Sequence, residues 1–358
     1  MKKILLVGWK GSNNFGSNLQ AIALYKTLNK NEQCGFFVKR RYYPFGTFIK
    51  KALKKIAVKL FSTKDVCTNN QRNENIQRWY NDFNCVSINT KKQLKNVLNE
   101  YSVYVVGSDQ VWNPYYLQDT YLLDFVPKGY RKISYSSSIG VSCIPKKFHK
   151  KYKKYLNDFS WISMREQQGA KCLGEVLSRN IDVVLDPTFL LTQEEWNDFA
   201  KDYREETKLP QKYLLCYFVG NKINYWKQVK EISRKLNMPI VILPMNEWDF
   251  SCDNAIILKN AGPKEFVHLV KDASYICTDS FHMCAFSINY NKQFSVFKRF
   301  ASDDIGSQNS RIDNLLETFK IDRYYNGELH FISYDNANEI LDRERKRCKE
   351  KLWQEICD

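Results

Sequence analysis

Short apolar runs that stop at glycine, serine or asparagine recur along the chain, and most are followed by stretches with helical spacing. Residues 3–7, 36–40, 103–106, 132–140, 161–166 and 182–191 form a first series of strand-like segments. Residues 213–220, 239–243, 255–258, 275–277 and 293–299 form a second. Val103-Tyr-Val-Val106 is continuously apolar rather than alternating, as expected of parallel strands covered on both faces. Helical patterns fall at 18–28, 48–61, 75–83, 91–101, 146–159, 225–236, 261–270, 281–288 and 337–353. A charged stretch, 192–211, contains a short helix, ends near Pro210 and separates the two series. Each series opens with a strand and a glycine turn. The expected fold is therefore α/β, with two Rossmann-like domains facing a cleft. The expected divisions are 1–191, a linker at 192–211, a second domain at 212–335, and a terminal helix at 336–358 packing back on the first.

Chemistry-bearing residues gather where strands end. In 275–288 an apolar run turns polar at Thr278-Asp-Ser280, good N-cap residues, and a helix follows. That places His282 at a strand's carboxyl end and a helix N-terminus, where anions are favoured and a histidine can move a proton near neutral pH. A capping or core histidine would look the same. The Gly- and Asn-rich loop 8–17 brings Asn14, Gly16 and Ser17 to the start of the first helix; it is either an anion loop or a βα turn that needs glycine. The spacing is not that of a dinucleotide fingerprint. After the run 103–106 come Ser108, Asp109 and Gln110, then Trp112-Asn113-Pro114 as a rigid loop. This group suits recognition of a polar ligand, sugars included, or is a polar turn stapled by Trp112. Residues 161–166 deliver Arg165 and Glu166 to the same edge.

Composition narrows the class. A chain of 358 residues, 44% of them hydrophobic, is long enough for two cores. No stretch approaches the roughly 20 apolar residues of a membrane span, and residues 1–7 read as a strand rather than a signal segment, so a cytoplasmic protein is expected. Its 11 cysteines are scattered, without C-x-x-C pairs or histidines at zinc spacing, and no metal is expected. The net charge of +16 admits nucleic acid, anionic membrane or acidic small substrates. The lysines concentrate at 50–59 and 146–154 and no nucleic-acid motif appears, so nucleic acid is not an expected partner. The helix over 48–61 sets an apolar stripe against five lysines; it suits either peripheral contact with an anionic membrane or an ordinary solvated face.

Several stretches taken in order resemble the polysaccharide pyruvyl transferases. They are 107–114 (GSDQVWNP), 135–140 (YSSSIG), 163–166 (SMRE), 186–188 (DPT), 262–266 (GPKEF), 278–282 (TDSFH) and 310–316 (SRIDNLL), with 13–20 similar to the family's first loop and helix. The family often has glycine after the motif histidine, where this chain has Met283. The resemblance implies a fold like the two-domain GT-B glycosyltransferases. It also implies transfer of a pyruvyl group from phosphoenolpyruvate, as co-substrate and without other cofactor, to two hydroxyls of a sugar as a cyclic ketal. The acceptor would belong to exopolysaccharide or cell-surface glycan synthesis, and a lipid-linked acceptor would put the enzyme at the inner membrane face. Such a reaction needs forked cations for the donor, for which Arg165 and Arg311 are candidates, and an acid and a base, assigned to His282 and Asp109. Ser280, Ser108 and Gln110 would orient substrate, and the helix starts at Ser280 and Ser17 would add dipole stabilisation. Alternatively, Asp109 caps a loop, Arg165 pairs with Glu166 or Asp186, and Arg311 pairs with Asp313 or Glu317. A nucleotide-sugar glycosyltransferase of the same architecture is the rival expectation.

Overall fold

The computed structural model describes residues 2–9, 13–42, 70–203, 207–220, 224–299, 309–322, 324–329 and 331–358. The first sheet contains β1 (Lys3–Val7), β2 (Gln33–Arg40), β3 (Cys85–Ile88), β4 (Val103–Asp109), β5 (Arg131–Ser137), β6 (Trp161–Met164) and β7 (Asp182–Val183). The second contains β8 (Leu214–Tyr217), β9 (Ile240–Ile242), β10 (Ile256–Ile257), β11 (Tyr275–Thr278) and β12 (Phe294–Val296). The helices are α1 (Phe15–Leu28), α2 (Asn70–Arg78), α3 (Lys91–Glu100), α4 (Lys146–Leu156), α5 (Gln167–Leu177) and α6 (Gln193–Ala200). They continue with α7 (Trp226–Leu236), α8 (Pro263–Asp272), α9 (Phe281–Asn289), α10 (Asn309–Thr318) and α11 (Asp335–Cys357).

Strand order is 3-2-1-4-5-6-7 in the first sheet and 10-9-8-11-12 in the second, and every pairing within them is parallel. The chain thus forms the expected α/β fold of two Rossmann-like domains. In each sheet the order reverses beside its first strand: β1 pairs β4 with Leu5 opposite Tyr104, and β8 pairs β11 with Cys216 opposite Cys277. Open parallel sheets bind ligands beyond the carboxyl ends of the strands at such a reversal. The loops after β1 and β4, and those after β8 and β11, are therefore the places to look.

Two helices hold the reversals together. All of α1 except Lys26 is buried, and all nine residues of α9 are buried. A helix buried on every side belongs inside a molecule rather than on its surface. One apolar cluster runs from Leu6 and Leu19 of the first domain to Leu215 and Phe286 of the second. It also takes in Ile340, Cys348 and Leu352 of α11. Arg345 of α11 donates to the Phe189 carbonyl (2.7 Å) and to Asn289 Oδ1 (2.9 Å), tying that helix to both halves.

Several elements differ from expectation. β3 was not expected, because Cys85-Val-Ser-Ile88 has only Ile88 buried and offers no apolar run. α5 was missed because Gly169 and Gly174 interrupt its helical pattern. The strand expected over 182–191 shrinks to two residues, since Asp186 accepts from the Thr188 N–H (3.0 Å) and turns the chain. α1 starts at Phe15 rather than at 18, because Asn14 caps it by accepting from the Gly16 N–H (3.0 Å). α2 begins at Asn70 rather than at 75 and passes into a 3-10 turn, Trp79–Asp82. The amphipathic helix expected over 48–61 lies outside the described residues. Among the described residues no helix is long and apolar enough to cross a membrane.

Candidate active site

A cavity of about 760 Å³, open mouth included, lies where the two reversal points meet. The first domain lines it with Trp9, Asn14, Ser17, Asp109, Gln110 and Tyr116. Ser280, Phe281, His282, Arg299 and Arg311 line the other side. The two walls differ in charge. The first has one carboxylate among neutral polar and aromatic groups; the second has two guanidiniums and an imidazole.

His282 sits at the seam. Ser280 caps α9 by accepting from the Met283 N–H (3.5 Å), and this start of the helix fixes where His282 points. The imidazole fits because residue 16 is glycine: a Cβ there would lie 2.0 Å from His282 Nδ1. On its other side His282 Nε2 is 3.6 Å from Asp186 Oδ2, a carboxylate of the first domain. That separation is too long for a hydrogen bond, and Nε2 has no hydrogen-bond partner among the described residues. Asp186 itself is buried, and burial works to raise its pKa. His282, Arg165 and the Thr188 N–H outweigh that and hold it well below the ordinary carboxyl range. Met283 is fully buried in the core and does not line the cavity.

Asp109 ends β4 in the left-handed region, with φ of 64°, which aspartate tolerates better than bulkier residues. The Ser17 hydroxyl donates to its Oδ2 at 2.6 Å. Burial pushes the Asp109 carboxyl up, but Arg165, His282, the Ser17 hydroxyl and Arg311 together bring it below its ordinary value. It is therefore an anion at neutral pH. Gln110 follows, its Oε1 accepting from Asn113 Nδ2 (2.9 Å); Gly140, at φ of 62°, leaves room where a Cβ would come within 2.1 Å of that oxygen.

The sequence matches the family described as polysaccharide pyruvyl transferase over residues 14–299, a span that includes every lining residue except Trp9 and Arg311. The chain belongs to the polysaccharide pyruvyl transferase family. No curated protein matches it in sequence. Among solved structures it is similar to UDP-GlcNAc 2-epimerase from Methanocaldococcus jannaschii, at 13% identity and a TM-score of 0.45, covering 96% of this chain and 99% of that one. It is also similar to UDP-GlcNAc 2-epimerase from Neisseria meningitidis bound to UDP-GlcNAc, at 9% identity, a TM-score of 0.47 and full coverage of both chains. The wall teichoic acid polymerase TagF is a third, at 12% identity and a TM-score of 0.46, covering 99% of this chain and 82% of that one.

In this pyruvyl transferase family member, seven of the ten sequence-predicted site residues line the cavity: His282, Asp109, Arg311, Ser280, Gln110, Asn14 and Ser17. Arg165 does not. Its guanidinium lies behind Asp109, with Nη1 3.0 Å from Asp186, Nη2 3.5 Å from Asp109 and Nε 3.7 Å from Glu166, stacked 4.5 Å over the Phe281 ring. Burial alone would loosen its proton, but the three carboxylates hold it more firmly than usual. Arg165 is a buried counter-ion that holds the acidic residues in place. Ser108 is also withdrawn: its N–H donates to Gln20 Oε1 (3.0 Å) and its hydroxyl to the Ser136 carbonyl (2.6 Å). Gly16 acts by leaving space for His282. Trp112 is fully buried and staples its loop, donating from Nε1 to the Tyr121 carbonyl (2.8 Å).

Sequence reasoning missed Arg299, Trp9, Tyr116 and Phe281 as lining residues, and read Asp186 only as part of a family motif or as an arginine partner. Arg299 follows β12, so the same carboxyl-edge rule that located His282 could have found it. Asp279 anchors it: Arg299 Nη2 donates to the Asp279 carbonyl (3.0 Å) and Nε lies 3.5 Å from Oδ2. The Asp279 carboxylate also accepts from the Val219 (2.7 Å) and Gly220 (2.9 Å) N–H groups, joining the ends of β8 and β11. Arg311 is pulled down to about 10, first by burial and then by Arg165, and remains a cation at neutral pH.

Proposed function

We propose that this chain transfers a pyruvyl group from phosphoenolpyruvate to two hydroxyls of one sugar in a cell-surface or secreted glycan, forming a cyclic ketal and releasing phosphate. The observation that carries the reading is the pairing of a cationic wall with an acidic, aromatic wall across His282, in a chain of this family. Phosphoenolpyruvate brings a carboxylate and a phosphate, and Arg299 and Arg311 supply forked donors for them. The start of α9 adds partial positive charge near the same place.

The chemistry then follows from the balance of protons. A proton added to C3 of the donor leaves C2 electron-poor, and the first hydroxyl attacks C2 as it loses its own proton. The C2–O bond to phosphate breaks, the second hydroxyl attacks C2 and loses its proton, and the ketal closes. Two protons leave the acceptor: one is balanced by the proton added to C3 of the donor, and the other departs on the released phosphate. In this reading His282 gives and takes protons, while ionised Asp109 accepts a hydrogen bond or proton from the attacking hydroxyl.

The test is phosphate release from phosphoenolpyruvate with galactosyl, mannosyl and N-acetylhexosaminyl acceptors, wild type beside His282→Ala. Acceptor-dependent release that falls by roughly 10²–10⁴-fold in the variant supports both reaction and residue. Release that persists moves the proton role to Asp109. A protein that binds a nucleotide sugar and not phosphoenolpyruvate is a glycosyltransferase instead.

A further inference from the structure

The proposed donor contacts, Arg299 and Arg311, leave the aromatic side of the cavity unassigned, and we propose that it is a track for an oligosaccharide acceptor. Trp9 inside the cavity and Tyr116 at its rim hold successive pyranose rings, so the acceptor is a chain of uncharged sugars rather than a single one. The inference rests on the pyruvyl-transfer reading of the cavity.

Charge decides which ligand this wall takes. The ionised Asp109 repels an anion, and Gln110 beside it offers only neutral hydrogen-bonding groups. A polyhydroxyl ligand satisfies both. Its C–H face carries slight positive charge and packs against the electron-rich face of an aromatic ring. Trp9 borders the cavity while Tyr121 covers one face of its indole, with ring centres 5.8 Å apart and planes 15° from parallel. That stacking holds the indole at a set angle.

Tyr116 supplies the length. It borders the cavity and is nevertheless 67% exposed, so a ligand that reaches it also projects into solvent. The turn carrying it is fixed. The Tyr116 N–H donates to the Asn113 carbonyl (3.1 Å), and Asn113 Oδ1 accepts from the Tyr115 N–H (3.0 Å). Trp112 anchors the base of the turn, its N–H donating to the Ser138 carbonyl (3.2 Å). A tyrosine presented on a fixed turn gains contact area at little entropic cost. Tyr115, its neighbour, is 62% exposed and packs edge-on to Phe148 of α4 at 6.4 Å.

The experiment compares mono-, di- and tetrasaccharides of galactose, mannose and N-acetylglucosamine as acceptors for wild type, Tyr116→Ala and Tyr116→Phe. Phosphoenolpyruvate binding is measured by calorimetry on the same preparations. In any series that turns over, kcat/KM rises with chain length. Tyr116→Ala removes that rise through an acceptor KM about tenfold higher, a factor within reach of one aromatic contact. Tyr116→Phe keeps the ring and the rise, and donor affinity is the same in all three proteins. Monosaccharides that serve as well as tetrasaccharides, or a Tyr116→Ala protein with unchanged acceptor KM, overturn the track and leave the reaction standing. Where nothing turns over, saturation-transfer NMR with the tetrasaccharides decides: transfer that is lost in Tyr116→Ala supports the track, and no transfer overturns it. Sugar binding of that kind without phosphoenolpyruvate binding keeps the track and removes the donor reading.

Discussion

Asp186 and Asp249 are both buried, yet their carboxyls move in opposite directions because their neighbours differ. Asp186 has a guanidinium and an imidazole beside it and is held strongly ionised. Asp249, in the turn after β9, is raised from 3.8 to about 6, chiefly by burial; its hydrogen bonds from the Met245 and Asn246 N–H groups (2.7 and 2.8 Å) only partly offset this, and Asp279 nearby adds to the rise. A carboxyl whose folded pKa lies above its unfolded one binds its proton more tightly in the folded state. Its contribution to stability is full below about pH 4 and is lost as pH rises through about 6. The loss is on the order of 2–3 kcal/mol at neutral pH. Asp249→Asn keeps an oxygen for both N–H donors and removes the charge. We expect the variant's melting temperature, relative to wild type, to climb between pH 4.5 and pH 7; a difference that stays flat would show that Asp249 is not the group titrating.

The meeting of α1 and α9 does for the site what neither helix does alone. α1 presents Gly16 and Ser17 and α9 presents His282, and the helices touch where Gly16 has no side chain. Gly16→Ala places a methyl 2.0 Å from the imidazole, so His282 or the helix start must shift. A displacement of about 1 Å at a catalytic group can cost on the order of 10² in rate. The expected result is a loss of that size in kcat/KM for phosphate release, with the fold retained by circular dichroism and phosphoenolpyruvate still bound. Much of this was legible in the sequence, because a strand that runs into a helix start announces its ligand-facing end: His282, Ser280 and Ser17 were read that way, and Asp109 from the polar turn that ends an apolar strand. What the rule cannot supply is the path of a loop. It left Trp112 open between ligand contact and turn staple, the second of which the fold adopts, and passed over Tyr116 four residues later, which lines the cavity. The sequence offered Glu166 or Asp186 as the partner of Arg165, but not both together with Asp109, from three separate strand ends. That enclosure arises only when the sheet edge is assembled, and it keeps the arginine from the ligand.

At the scale of the whole molecule the site exists only while the two domains hold their relative position, since Asp186 and Asp109 come from one and His282 and Arg299 from the other. Arg72 of α2 helps to fix that position. It is fully buried and reaches the second domain, donating from Nη1 to the Pro244 carbonyl (2.7 Å) and approaching Met245 Sδ at 3.1 Å. Toward its own domain it donates to the Asn13 carbonyl (3.4 Å) and stacks 4.8 Å over the Phe15 ring, beside the Asn14 cap of α1. A second tie lies one turn along α2, where Asn75 Nδ2 donates to the Asn260 carbonyl (2.7 Å). Arg72→Met keeps much of the apolar stem but strands buried carbonyls, at a cost of about 2 kcal/mol. The effect on function should exceed the effect on stability. Asn13 precedes the cap of α1 and Pro244 follows β9, so slack at Arg72 moves both walls of the cavity. Melting temperature should fall by several degrees, and kcat/KM for phosphate release should fall at temperatures where the variant is still folded. Asn75→Ala, which removes the neighbouring tie, should weaken activity in the same direction, and the double variant should lose less than the sum if the two act as one latch. An Arg72→Met protein that is less stable but fully active would show instead that α9 and α1 alone keep the domains aligned.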